Sequence, residues 1–226
     1  MTLITSVIVG HGEVGSALHE IIGGDVHDPA QNKIISGHYD LLNICIPYND
    51  KFIQAVKEYQ VLFSPLLTVI HSTVPLGTSQ ACNAVHSPIR GVHPHLAKGI
   101  RTFVKFFGGP DAQIAAEYFN KYGIETEVTD KSETTEAMKL WDTTQYGLLI
   151  LMERQIHAWC DKNGVDFNVV YTTANRTYNE GYRALARDEV VRPYLCHTEG
   201  KIGGHCVRQN AHLLDASVAK LLEDSN

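Results

Sequence analysis

The sequence predicts an α/β protein, with a doubly wound sheet over about residues 1–130 followed by an all-helical part over about 131–226 built on one long helix. Three observations predict it. A β-branched apolar run, Ser6 to Val9, leads through Gly10, Gly12 and Gly15 into a segment with helical periodicity. Short apolar runs then alternate with helical patterns as far as about Val128. From Ser132 to Asn163 there is no proline and only one glycine.

The first strand ends at Gly10, and Val14, Leu18, Ile21 and Ile22 mark the apolar face of the helix that follows. The spacing G-x-G-x-x-G has a physical reading as a Rossmann-type turn. Gly10 permits the tight turn, Gly12 lets backbone approach a pyrophosphate and Gly15 allows close helix–strand packing, with the helix N-terminus facing the anion. His11, Glu13 and Val14 complete the loop that would face the phosphates. A second apolar piece ends in Val26-His27-Asp28-Pro29, placing Asp28 eighteen residues beyond Gly10. An acidic side chain there meets the adenosine ribose hydroxyls of a dinucleotide. No arginine follows directly to receive a 2′-phosphate, so NAD is expected rather than NADP. The competing reading of the glycines is a purely structural turn.

Tyr39 to Pro47 reads as a buried strand ended by proline, and residues 50–60 as a short helix. Pro47 and Tyr48 then fall at the carboxyl end of the strand, where they either wall a ligand pocket or, in the case of Pro47, simply stop the strand. Leu66 to His71 forms the next strand and runs into Ser72-Thr73-Val74-Pro75-Leu76-Gly77-Thr78, whose hydroxyls lie at a strand's carboxyl end. Two short segments follow, Arg90 to His93 and Phe103 to Phe107, the second closed by Gly108-Gly109-Pro110. A helix over 111–122 and a strand over 125–128 complete the sheet domain.

Ser132 is a plausible N-cap and Asn163-Gly164 a plausible stop for a single helix spanning roughly 45 Å. Its length predicts that it leaves the sheet domain and carries the helical part. A further helix is expected over 168–187 and another over 210–222. No repeat or low-complexity tract is present.

Composition narrows the function classes. The chain has 226 residues, 44% of them hydrophobic, and a net charge of −6, so no basic footprint for nucleic acid is present. Five cysteines without a C-x-x-C spacing argue against a disulfide framework and fit a reducing cytoplasm. The first strand begins within a few residues of Met1 and no apolar run reaches membrane-spanning length, so no signal peptide or anchor is expected. Small molecules and copies of the chain itself are the expected partners.

Two places in the second half could carry chemistry. Lys139 and Thr143, four apart, share one face of the long helix, although a lysine there could equally be a solvated residue. Gly203-Gly204-His205-Cys206 lets backbone and a cysteine come close to a ligand, although a free cysteine is more often a small buried hydrophobe.

These residues resemble a known family. Gly203-Gly204-His205-Cys206, Ser72-Thr73-Val74-Pro75 with Gly77-Thr78, the Glu136-x-x-Lys139 helix and the glycine loop occur in the same order as in the nucleotide-sugar dehydrogenases typified by UDP-glucose dehydrogenase. That family belongs to the wider 6-phosphogluconate and 3-hydroxyacid dehydrogenase superfamily. The resemblance covers most of the chain. It implies that Cys206 attacks an aldehyde intermediate as thiolate, that Lys139 holds the developing alkoxide and helps position water, and that Thr73 lies near the same water and the cofactor. An ammonium beside a carbinol oxygen stabilises the charge that appears as its proton leaves. A thiolate favoured by His205 or Lys139 can trap an aldehyde. Thr143, His205 and Arg208 are expected toward the substrate, and a homodimer through the helical part is implied.

Departures from the family are equally visible. The family's Pro-Glu-Phe-Leu is matched by Pro94-His95-Leu96, so His95 stands where a carboxylate is usual, as a general base or as a loop histidine. Thr143 replaces an asparagine and Asn210 an aspartate. The chain ends soon after Cys206, so the family's C-terminal domain, and UDP-sugar binding in the family manner, are not expected. His93, His95, His205 and Cys206 match no compact ligand pattern, and no metal is expected. Arg176, Arg183, Arg187, Arg192 and Arg208 either meet an anionic substrate or line a solvated face. The leading expectation is an NAD-dependent oxidoreductase acting on an alcohol carbon of a small sugar-like or anionic substrate, with continuation to the acid through a Cys206 thiohemiacetal left open. A two-electron hydroxyacid dehydrogenase in which Cys206 only lines the pocket, and a non-catalytic NAD-binding sensor or accessory protein, are the alternatives.

Overall fold

A computed structural model describes residues 5–91, 94–197, 207, 210–214 and 216–223. It divides into two compact units, Met1–Lys139 and Leu140–Asn226.

The first unit is a seven-stranded sheet. Its strands are β1 (Ser6–Val9), β2 (Asp25–His27), β3 (Leu41–Ile44), β4 (Leu67–Ile70), β5 (Val85–His86), β6 (Lys105–Gly108) and β7 (Thr126–Thr129). They lie in the order β2-β1-β3-β4-β5-β6-β7, parallel except for the antiparallel pair β5–β6. The chain leaves β1 for β2 on one side and returns to β3 on the other. That reversal opens a crevice at the carboxyl ends of β1 and β3, where open α/β sheets bind ligands.

Helices α1 (Glu13–Ile22), α2 (Phe52–Phe63), α3 (Thr78–Ala81), α4 (Leu96–Thr102) and α5 (Ala112–Asn120) connect the strands. Strands β1, β3 and β4 are buried on both faces, and apart from Ser6, Asn43 and Thr68 they are apolar. On one face Ile8, Leu41, Val69 and Phe107 pack with Leu18, Ile21 and Phe119 from α1 and α5. On the other, Val7, Val9, Leu42 and Ile44 pack with Phe52, Val56 and Phe63 of α2.

Helix α6 (Ser132–Asn163) runs the full length that the sequence predicts. Its first turns pack on the sheet at Gly108, where a Cβ would come within 2.6 Å of the Lys131 carbonyl oxygen. In the second unit Leu140, Thr144, Gly147, Glu153 and Cys160 form its buried stripe. Gly147 lets Val207 and Leu222 close on the helix, since a Cβ there would fall 2.4 Å from Val207 Cγ1. Leu140, Val207, Ala211, Leu214, Ala219 and Leu222 make this unit's apolar core.

Three elements differ from expectation. The fifth strand is Val85–His86, reached through Asn83 at φ 49°, and not the Arg90 to His93 segment. It is two residues long and ends on a buried histidine, too short for any hydrophobic period. Arg90 and Gly91 are not strand, and 92–93 lie outside the described residues. The helix expected over 168–187 opens with a π-helical turn, Asn168–Thr173, and continues as α7 (Ala174–Ala184). Over 210–222 there is no single helix: Ala216 is extended at φ −141°, followed by a 3-10 turn at Ser217–Ala219 and α8 (Lys220–Glu223). Leu214, Ala219 and Leu222 nevertheless share one core.

After α7 the chain doubles back along 191–197. The Asn179 side chain imitates a strand partner, donating to Arg192 O at 2.9 Å and accepting from Arg192 N at 3.0 Å. Tyr171 Oη accepts from Leu195 N, and His197 Nδ1 lies 2.6 Å from the buried Glu153 carboxylate.

Candidate dinucleotide site

The turn from β1 into α1 is built by sterics. Gly10 sits at φ 88°, and a Cβ there would lie 2.9 Å from the Cys45 carbonyl oxygen at the end of β3. A Cβ on Gly15 would lie 1.9 Å from Gly10 O, so only glycine lets α1 approach the strand this closely. Gly12 is different. Its Cβ would meet nothing within 4 Å, so the fold itself does not require glycine there. Gly12 is also the N-cap of α1 and offers no side chain to the first-turn amides. Those N–H groups and the helix dipole favour an anion. Glu13 is exposed in that first turn, and Val14 packs against the core beneath it. The cradle fits the pyrophosphate of a dinucleotide.

Asp28 follows β2 and is buried. Its Oδ2 accepts from His11 N at 2.7 Å and its Oδ1 from Ala30 N at 3.0 Å, so it locks the glycine loop to the 3-10 turn Pro29–Gln31. Two of a carboxylate's four lone-pair directions remain for ribose hydroxyls. Gln31 Nε2 donates to His11 O, and Lys33 Nζ donates to His11 Nδ1 at 2.9 Å, which leaves the His11 proton on Nε2. Neither Gln31 nor Lys33 carried a sequence signal.

Across the crevice, Pro47 is exposed three residues beyond β3, and Tyr48 packs against Phe52. The loop after β4 is tied to this segment by Ser72 Oγ, which donates to Ile46 O at 2.6 Å. Val74 is buried, whereas Thr73 is half-buried and its hydroxyl has no hydrogen-bond partner among the described residues. His86 Nε2–H donates to Ser72 O at 3.1 Å and its Nδ1 accepts from Thr135 Oγ1 at 2.8 Å. Burial, aided by the charges of Lys105 and Lys139, pushes His86 down to about 3, so this bridge keeps one protonation state near neutrality. Glu136, fully buried on α6, accepts from Gly77 N at 2.7 Å through Oε2 and from Ser79 N at 2.8 Å through Oε1. Lys139 stands half-buried one turn further along the same helix. Glu136 was visible in the sequence only as the acid three residues before Lys139.

A polar chain runs inside the sheet below the crevice. Lys105, 4% exposed, donates from Nζ to Ser87 O at 3.1 Å and to His71 Nδ1 at 3.3 Å. His71 Nε2–H then donates to Asn43 Oδ1 at 3.0 Å, and Asn43 Nδ2 to Ser6 Oγ at 3.0 Å. The rings of Phe107 and Phe119 lie 5.3 and 5.4 Å from Lys105 Nζ. Burial pushes Lys105 down to about 7 and His71 well below its ordinary value, and raises the Cys45 thiol to about 12. Composition gave no hint of a lysine in a sheet core.

The remaining expected residues are not gathered at this crevice by the described coordinates. Cys206, His205, Arg208 and His93 lie outside the described residues. His95 is exposed at the N-cap of α4, with its carbonyl accepting from Gly99 N at 3.0 Å. Thr143 belongs to the second unit, where its hydroxyl donates to Leu140 O and accepts from Asn210 Nδ2. Arg176 pairs with Glu180 and Arg187 with Glu189 on the surface, and Arg192 lies 3.6 Å over the Tyr178 ring, so these three arginines have partners within their own unit. Among the described residues no cluster of side chains could hold a metal ion, and no helix is long and apolar enough to cross a membrane.

The strand order and the glycine cradle define an α/β protein with a switch-point crevice of the dinucleotide-binding kind. No protein-family model matches the sequence, and no curated protein matches it. Solved structures share its fold. A UDP-D-ManNAc dehydrogenase from Pyrococcus horikoshii superposes with a TM-score of 0.73 at 16% identity, over 97% of this chain and 67% of that one. A UDP-glucose dehydrogenase from Pyrobaculum islandicum gives 0.67 at 13% identity, over 98% of this chain and 67% of that one. A 3-hydroxyisobutyrate dehydrogenase from Mycobacterium tuberculosis gives 0.67 at 12% identity, over 99% of this chain and 92% of that one. The chain has the fold of the UDP-sugar and 3-hydroxyacid dehydrogenases.

Proposed function

We propose that this protein is an NAD-dependent oxidoreductase acting on an alcohol carbon of a small sugar-like or anionic substrate. The observation that carries the reading is the cradle at the β1–β3 crevice, closed to side chains at Gly10 and Gly15 and open at Gly12. Gly10 to Gly15 would hold the pyrophosphate, Asp28 the adenosine ribose, and Pro47 and Thr73 the far half of the dinucleotide. Bound NAD supplies the hydride acceptor. Lys139 would hold the alcohol oxygen and stabilise its charge as the proton leaves, with His95 as the candidate base. Oxidation through to an acid would use the Cys206 thiolate adding to the aldehyde carbon, and His205, Arg208 and Thr143 would meet the substrate.

The alternative without covalent chemistry is a two-electron hydroxyacid dehydrogenase, the class to which the hydroxyisobutyrate enzyme of the same fold belongs. The free cysteines Cys45, Cys82, Cys160 and Cys196 support a reducing, cytoplasmic setting. Exposed Trp141, Met152 and Trp159 recur along one face of α6 and support a homodimer through that helix.

The test begins with calorimetric titration by NAD and NADP, then mass spectrometry of Cys206 alkylation with and without NAD. Tight NAD binding with a fast Cys206 supports two-step oxidation, measured as two NADH per alcohol consumed and abolished in Cys206→Ser. One NADH per alcohol, with activity retained in Cys206→Ser, establishes the two-electron reading. Absence of dinucleotide binding would overturn both.

A further inference from the structure

We infer that Glu136 is a positioning residue for the nicotinamide end of the proposed site, setting the place of Thr73 through the backbone amides of Gly77 and Ser79. The inference rests on the dinucleotide reading and adds to it a residue that touches no ligand.

The loop from Ser72 to Thr78 leaves β4 at the carboxyl edge of the sheet, on the far side of the crevice from Asp28. A dinucleotide with its adenosine ribose at Asp28 and its pyrophosphate at Gly12 extends its other half toward this loop. Within the loop Thr78 Oγ1 donates to Pro75 O at 2.7 Å, and Ser72 Oγ ties its start to Ile46 O. Helix α3, which ends it, has four residues, and its N-cap is Gly77 at φ 82°, with no side chain to satisfy the first amides. A helix that short is not self-supporting.

Helix α6 supplies what is missing. Glu136 is 0% exposed, and each of its oxygens takes one amide, from Gly77 and from Ser79. Charge-assisted bonds of this kind are the strong ones. The preceding residue, Thr135, fixes the opposite end of the loop through His86 to Ser72 O. Two consecutive residues of α6 therefore hold both ends of one loop, with buried Val74 as a plug between them and Thr73 beside it. Burial raises the Glu136 carboxyl, and the amides of Ser79 and Gly77 offset part of that shift because they favour the charged form. Because Lys139 lies one turn along the same helix, the device also ties the loop's register to the helix that bears the proposed oxyanion-holding group.

Glu136→Gln tests this, because the carboxamide keeps the shape but can accept from only one of the two amides. The readout is affinity by calorimetry for NAD and for ADP-ribose, which lacks the nicotinamide. The expected result is NAD binding weakened by about tenfold, the loss of one charged hydrogen bond, with ADP-ribose affinity unchanged. Thr135→Val, which removes the hydroxyl from the other end, should show the same selectivity if Glu136→Gln folds poorly. Equal weakening of both ligands would make Glu136 a general stabiliser and overturn the inference, as would unchanged NAD affinity. A wild-type protein that binds neither ligand would remove the site itself, an outcome distinct from a wild type that binds both and a variant that does not discriminate.

Discussion

Asn210 Nδ2 donates to Thr143 Oγ1 at 3.3 Å. The bond joins the two positions at which the sequence departs from an asparagine and an aspartate usual in the nucleotide-sugar dehydrogenases it resembles. Two replacements far apart in sequence are thus one local change, in which a hydroxyl and an amide pair with each other.

The pair should behave as a unit. Thr143→Val and Asn210→Ala are each expected to destabilise, and the double variant to lose less than the sum by about 1 kcal/mol. Urea denaturation of the three variants measures the coupling, and additive losses would show that the bond contributes nothing.

The glycines separate fold from ligand. Gly15→Ala puts a Cβ 1.9 Å from a backbone oxygen and should cost about 3 kcal/mol or more. Gly12, at φ −74° with open space before it, tolerates a Cβ, so Gly12→Ala should change stability by no more than about 0.5 kcal/mol. It should nevertheless weaken NAD by about tenfold or more, through collision with the pyrophosphate. Thermal melts and calorimetry separate the two effects, and a Gly12→Ala variant with unimpaired NAD binding would count against the cradle.

Stability should rise with pH up to about 8. Lys105 is pushed from 10.5 down to about 7, so between those values the unfolded chain binds the extra proton and alkalinisation relieves the cost of burying the charge. The cost is complete below about 7 and is on the order of 5 kcal/mol. His71 and His86, both lowered by burial, act in the same direction below 6.5, where the unfolded chain takes up protons first. Urea midpoints should climb from pH 5 to about 8 and turn down above about 9, where Cys45 and Cys82 ionise in the unfolded chain before the folded one, and Lys105→Met should flatten the rise above pH 7 while raising the midpoint at pH 7.

Thiol chemistry should be selective. Cys196 is exposed, Cys82 and Cys160 are buried, and burial raises the Cys45 and Cys82 thiols to about 12 and 11. Among these four, Cys196 alone should react rapidly with a disulfide reagent in the native protein, and mass spectrometry of the labelled peptides reads this directly. Rapid labelling of Cys82 would contradict its place in the core.

Most of the sheet unit was legible because its signals are local. Gly10, Gly12 and Gly15 state a turn, and Ser132 to Asn163 states a long helix by its lack of breakers. Strand Val85–His86 was not legible, since two residues have no period and only their pairing with β4 and β6 makes them a strand. Asp28 stood where the spacing placed it, but its bond to His11 N depends on a fold of the chain that spacing does not encode. Glu136, Lys105 and His71 were unreadable for the same reason: their partners lie 57, 34 and 28 residues away in sequence.

The boundary between the two units falls inside α6, between Lys139 and Leu140, and not in a linker. Protein dissection must respect this. A fragment cut at residue 130, where the last strand has just ended, would discard Thr135 and Glu136, bare the Gly77 and Ser79 amides and uncover the glycine face at Gly108. An excised nucleotide domain has to carry at least the opening turns of the helix, so the segment that begins the helical part is also the last structural member of the sheet.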